Sequence, residues 1–209
     1  MNRVRFLQKI ALAASISLAM AFTLSCSDDK DESSSSGGYN GKGNDIANYG
    51  TVEIGTQTWM AENLNYVVEG SKCYEDDPAN CDIYGSLYDW ETALTVCPAG
   101  WHLPSDAEWQ TLVDSRGGDD LAGVSLKAGS GWNNSGNGTN TSGFSALPGG
   151  YRYGSGTFSA VGRYGVWWSA TPHDGDEAYT RGMNYLESNV SRSEHVKSDL
   201  YSVRCVKDE

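Results

Sequence analysis

Apolar residues recur along this chain with two different periods, and the changes of period mark out its elements. Val52 and Ile54 alternate with polar neighbours, Gly55 follows, and Trp59-Met60 resumes the apolar run, which predicts a β-hairpin beginning near Thr51. Leu87, Trp90, Leu94 and Cys97 fall three, four and three residues apart, the spacing of one helical face over residues 86–96. Pro98-Ala99-Gly100 closes that helix. Ser105 and Glu108 then stand at capping-box spacing, so a second helix is expected to reach about Asp114 with Trp109, Leu112 and Val113 inward. Arg116-Gly117-Gly118 stops it.

Over residues 129–165 neither period survives. Glycine, serine, asparagine and threonine dominate, interrupted by Trp132, Phe144, Tyr151, Tyr153, Phe158 and Tyr164, as in long loops pinned by aromatic side chains. Period two returns over 166–170, at Tyr179, Arg181, Met183 and Tyr185, and at Tyr201, Val203 and Cys205. Ser202, Arg204 and Val206 belong to the other face of that last strand. An antiparallel sheet is expected to close the chain.

The first residues have a different character. Arg3, Arg5 and Lys9 precede an apolar run over residues 10–24, too short to span a bilayer comfortably, so residues 1–25 are expected to be an export signal. The run ends at Cys26 and SDDKDE follows at once, so Cys26 is expected to be a lipidation site, against the alternative of ordinary signal cleavage that leaves a free thiol, although Thr23 stands where bacterial lipoprotein signals usually have leucine. Ser27-Asp28-Asp29 resembles the signal that sends some bacterial lipoproteins to the outer surface. Residues 26–49 have no apolar period and are expected to form a disordered tether reaching roughly 25 Å, with the domain over 50–209. The whole chain carries a net charge of −12. Processing at Cys26 removes three basic residues and no acidic one, leaving 12 basic against 27 acidic side chains, a net of −15. Such a field repels phosphate backbones, which argues against nucleic acid as a partner.

With Cys26 assigned to lipid, four cysteines remain, and an exported protein is expected to pair them. Cys97 falls on the inner face of the first expected helix and Cys205 on that of the last strand, while Cys73 and Cys81 bracket the turn-rich YEDDPAN. Of the three possible pairings, 73 with 81 and 97 with 205 fits these placements.

The stretches TVEIGTQTWMAENLNY, CYEDDPANCDIYGSLYDW, CPAGWHLPSDAEW, FSALPGGYR, VWWSATP and YSVRCVKD together resemble the Fibrobacter succinogenes major paralogous domain family, over residues 51–208. That family is associated with bacterial export, and the resemblance implies membership without naming an activity. A second resemblance concerns architecture. A helix ending in cysteine, a Gly-x-His-Leu-Pro-Ser corner, a second helix, irregular loops and a terminal strand with the partner cysteine resemble the order of C-type lectin-like domains. Formylglycine-generating, sulfatase-modifying enzymes share that architecture, and their LP-[ST]-x-AEW segment is similar to residues 103–109. The implied fold is α+β and C-type-lectin-like, with two helices, an antiparallel sheet and long irregular loops. The chain departs from both groups in chemistry. It lacks the Glu-Pro-Asn, Gln-Pro-Asp and Trp-Asn-Asp triplets of calcium-dependent lectins, with Trp132-Asn133-Asn134 only a near match. It also lacks the enzymes' Arg-Gly-Gly-Ser-Trp and has only Cys205 near its end.

Candidate chemistry is sparse. His102 precedes a Leu-Pro corner and is expected to pack or cap. Asp174, Asp176 and Glu177 share a glycine-containing loop whose hard oxygens suit calcium, against the alternative of a solvated acidic loop. Trp167 and Trp168 must point to opposite faces of their strand. One is expected in the core, leaving Trp168 as a surface platform for a sugar ring or another flat ligand. Tyr151, Arg152, Tyr153, Arg163 and Tyr164 precede it with rings and guanidinium forks for the same ligand, unless they serve to pack the loops. The expected function is that of a lipoprotein anchored in the membrane by its lipid, in the outer membrane and facing the surface, acting as a non-catalytic binding module for glycan. A protein-binding adhesin or envelope assembly component is the alternative, and a divergent formylglycine-generating-like oxidising enzyme the third.

Overall fold

The structure, a computed structural model, describes residues 39 and 41–209. The expected signal peptide, the expected lipidation site Cys26 and residues 27–38 and 40 of the expected tether lie outside the described residues. No helix among the described residues is long and apolar enough to cross a membrane.

The described chain opens with β1 (Thr51–Ile54), β2 (Gln57–Met60), α1 (Pro78–Tyr84), β3 (Leu87–Tyr88) and α2 (Trp90–Ala93). Next come β4 (Trp101–His102), α3 (Asp106–Asp114), α4 (Ala122–Leu126), β5 (Tyr151–Arg152) and β6 (Phe158–Ser159). It closes with β7 (Tyr164–Pro172), β8 (Glu177–Asn184), β9 (Ser191–Val196), β10 (Tyr201–Ser202) and β11 (Val206–Lys207). The fold is α+β. One sheet has the order β1-β2-β11-β4, a second has β3-β10-β7-β8-β9, and β5 pairs with β6.

The hairpin forms where the alternation places it, with Gly55 supplying the positive φ of 63° that its tight turn requires. Ser105 caps α3 by accepting from the Glu108 amide, and Glu108 reaches back to the Ser105 amide, so the expected capping box is present. The first expected helix is not. Leu87 and Tyr88 are drawn into a strand against β10, and Asp89, whose side chain accepts from the Thr92 amide, starts only the short α2. Leu94, expected inward, is 39% exposed. A strand followed by one helical turn buries positions three apart just as a helix does, and the longer period was a coincidence of that junction. Two helices lie where none was expected. In α1, Asp77 caps and Pro78 takes the first position, a combination that favours helix initiation inside the Cys73–Cys81 loop. The other is α4.

The terminal segment differs most from the expected two-faced strand. It contributes β10 between β3 and β7, then β11 between β2 and β4, so one stretch is central to both sheets. Residues 200–206 are therefore buried throughout, and its contact with β7 is parallel, which makes that sheet mixed rather than antiparallel. At the corner between the sheets, the amides of Leu64 and Met60 donate to the carbonyls of Val203 (2.9 Å) and Cys205 (3.0 Å). Arg204, expected on an outer face, is buried there. Its Nε and Nη2 donate to Asn63 Oδ1 (3.0 and 2.6 Å), and Nη1 donates to the carbonyls of Met60 (3.1 Å) and Phe144. Burial pushes Arg204 down to about 9 against the pull of Glu62, so it is still charged at neutral pH.

The two larger core clusters lie on opposite faces of β7. Trp167 packs with Trp59, Trp109 and Phe144, while Trp168 packs with Tyr88, Trp90 and Tyr201. Both disulfides take the expected pairing, Cys73 with Cys81 and Cys97 with Cys205. Residues 41–49, read from the sequence as tether, are instead docked. The Tyr49 phenol donates to Gly43 O (2.8 Å) and accepts from the Asn65 amide (3.1 Å), and Tyr39 donates to Asp82 (2.6 Å).

Candidate functional site

The His102 corner is structural. Its Nε2 meets Glu108 (2.7 Å) and its Nδ1 meets Asp208 (2.6 Å), joining the capping box of α3 to the segment after β11. Burial opposes the charged imidazole, but the bonds to Asp208 and Glu108 outweigh it and hold the pKa above its ordinary value.

A groove lies elsewhere, on one face of the five-stranded sheet. The register Trp168↔Thr180, Val166↔Gly182, Gly182↔Ser191 and Thr180↔Ser193 puts these residues, with His195, on the same face. Over the inner half of that face Trp168 and Tyr201 pack edge to face, ring centres 4.8 Å apart. Over the outer half Gly182, Ser191 and Ser193 are too small to fill the space. What remains is a concavity of about 290 Å³, walled by Tyr151, Tyr153 and Tyr164 and by His195. That size is near the lower end of the roughly 300–1,000 Å³ usual for small-molecule sites.

The walls are fixed from behind. Asp199 accepts from the Gly154 amide (2.8 Å) and from the Tyr201 hydroxyl (3.3 Å), which ties the Tyr153 loop to β10. The hydroxyls of Tyr151 and Tyr153 lie 3.1 Å apart, and burial, then this contact, raises the Tyr151 pKa. His195 Nδ1 is 3.0 Å from Thr180 Oγ1. Burial holds the His195 pKa below its ordinary value against the carboxylates of Asp199, Glu177 and Glu194, so the ring is neutral at pH 7.

Of the site residues expected from sequence, the structure brings together Tyr151, Tyr153 and Tyr164, the last two each 42% exposed. Trp168 is a correction. It is fully buried beneath the groove floor, its indole N–H spent on the Tyr88 carbonyl (2.8 Å), and it offers no face for stacking. Both faces of β7 are covered, so alternation sends neither tryptophan to the surface. Arg152 lies over the Phe158 ring at 5.6 Å, and neither it nor Arg163 lines the groove. Thr180, Ser191, Ser193, His195 and Tyr201 line it without having been expected. For Ser191, Ser193 and His195 the signal was the alternation of small or polar residues in SRSEHV, which carries no meaning until β9 is paired with β8.

The acidic loop behaves as a turn. Asp174 Oδ1 accepts from the amides of Asp176 and Glu177, both at 2.9 Å, and these bonds lower its pKa. The Lys197 ammonium donates to the carbonyls of Asp174 (2.8 Å) and Gly175 (2.9 Å). Ligand-type atoms of His173, Asp174 and Glu177 come within 4.8 Å of one another, so His173 rather than Asp176 completes the group. The carbonyl oxygens that calcium would recruit already receive a cation, and the calcium expectation gains nothing from this geometry.

The sequence model of the Fibrobacter succinogenes major domain matches residues 52–207. The chain belongs to that family. The groove and both disulfides fall inside the matched Fibrobacter succinogenes major domain, as does the His102 corner except for Asp208. Neither the curated proteins nor the solved structures yield a match to the chain. The bridge between Cys97 and Cys205, with Cys205 fully buried, occupies the only cysteine near the chain's end.

Proposed function

We propose that this domain is a non-catalytic glycan-binding module, carried on an exported lipoprotein, and that the groove beside β9 is its binding site. One observation carries the reading: three partly exposed tyrosines converge on a concavity lined on its other sides by Thr180, Gly182, Ser191, Ser193 and the imidazole of His195. Aromatic rings meet the apolar faces of a sugar ring, and hydroxyls with a neutral histidine can both donate to and accept from its hydroxyls. A C-type-lectin-like relationship is part of the proposal, supported by the long irregular loops and by the bridge from the α2 region to the terminal segment. The anchor rests on the apolar run that stops at Cys26. Cys26→Ala is expected to move the protein from the detergent phase to the aqueous phase, and unchanged partitioning would remove the anchor from the proposal.

Tyr153→Ala and Tyr164→Ala test the site. Each is expected to weaken capture of soluble polysaccharide by about 1–3 kcal/mol, if stacking on a sugar resembles stacking on a base, while the melting temperature stays close to that of the parent. Loss of stability in step with loss of binding would make these rings packing groups.

A further inference from the structure

We infer that the groove selects an uncharged glycan and that His195 reads its hydroxyl groups. The inference rests on the groove being the glycan site and adds the class of sugar and the residue that reports it. Among the described residues, the groove's lining contains no Asp, Glu, Lys or Arg. A uronate or sulfate group entering it would lose its water without meeting a cation, in a chain whose net charge is already −12. The two arginines that would have changed this lie outside the lining, and the nearest wall support, Asp199, is itself a carboxylate.

A cationic ligand fits no better. An aromatic cage needs ring faces turned toward a shared gap. Here Tyr151 packs against Tyr153 and Tyr201 directly, ring centres 5.2 and 5.6 Å apart, so these rings contact one another instead of flanking a cation-sized space. What the groove presents is hydroxyl and imidazole chemistry. Thr180 engages His195 Nδ1, and the Ser191 hydroxyl donates to Gly182 O. His195, whose Nε2 makes no hydrogen bond among the described residues, and Ser193 stand two residues apart on the same strand face, their backbones about 7 Å apart along β9. A sugar ring bearing several hydroxyls can bridge that spacing. The Thr180 contact fixes the ring, so Nε2 is held as one oriented partner rather than a rotating one.

The test uses the domain and its variants in affinity electrophoresis against xyloglucan, mixed-linkage β-glucan and galactomannan as neutral polymers, polygalacturonate and alginate as anionic ones, and chitosan as a cationic one. At least one neutral polymer is expected to bind, with anionic and cationic polymers at least tenfold weaker. His195→Ala is expected to weaken neutral binding about tenfold, and Ser193→Ala several-fold, with melting temperatures checked for each variant. His195→Gln is expected to recover part of the loss, because its amide restores a polar partner without the ring. Anionic or cationic binding that equals neutral binding, and that Tyr153→Ala abolishes, would overturn the inference and leave the groove as a glycan site. Neutral binding indifferent to both His195→Ala and Ser193→Ala would overturn the role of β9. Binding to none of the polymers would remove both the inference and the glycan reading beneath it.

Discussion

Arg204→Ala should lower the unfolding free energy by about 3–5 kcal/mol, from buried acceptors left without their donor, at about 1–3 kcal/mol each, and from the cavity the side chain leaves. The guanidinium fork is fully buried at the corner where the terminal segment passes from one sheet to the other. Its loss leaves Asn63 Oδ1 and the carbonyls of Met60 and Phe144 short of a donor, and a cavity beside the Phe144 ring, 4.3 Å from the guanidinium. Asn63 Oδ1 would keep only the Trp167 indole N–H, at 2.8 Å. Arg204→Lys should recover less than half of the loss, because one ammonium cannot place donors along the directions of a planar fork. Urea denaturation measures both, and a loss below about 1 kcal/mol for the alanine variant would mean that the corner is held by packing alone.

Removing the bridge between Cys97 and Cys205 by paired alanine substitution should cost about 2–5 kcal/mol, and removing that between Cys73 and Cys81 clearly less. The difference follows from loop length, 108 residues against 8, since the longer crosslink withdraws more freedom from the unfolded chain. The longer bridge also fastens the segment after α2 to the buried corner next to Arg204. Calorimetry on the two paired variants gives the comparison. An equal cost, or a greater one for the shorter loop, would show that local strain and packing, rather than chain entropy, set the value of these bridges.

The sequence made legible those features whose signal is local. The capping box at Ser105 and Glu108, the hairpin turn at Gly55 and the inward Trp109, Leu112 and Val113 all depend on residues a few positions apart, and all are present. The cysteine pairing is as expected although one of its grounds is not: Cys73 and Cys81 do bracket a short turn-rich loop, whereas the long helix whose inner face was to carry Cys97 does not form. Features that depend on register were not legible. Arg204 reads as an outer-face residue until β10 and β11 are known to be interior strands of two sheets. Trp168 reads as exposed until Tyr201 is laid across it. The candidate site divides in the same way. Tyr151, Tyr153 and Tyr164 stand out in a glycine-rich stretch, whereas Ser191, Ser193 and His195 acquire meaning only through pairing with β8, which turns an unremarkable polar segment into a wall.

The most direct measurement of the groove's role is a titration, followed by NMR, of protein labelled in its tyrosine and histidine rings, using neutral oligosaccharides cut from whichever polymer binds. Resonances of Tyr153, Tyr164 and His195 should shift together along one saturating curve, with Tyr39 and Tyr66, the latter bridged to Gly41, as unmoved references. Saturable binding that leaves the three groove residues unchanged and moves resonances elsewhere would contradict the assignment of the groove as the glycan site.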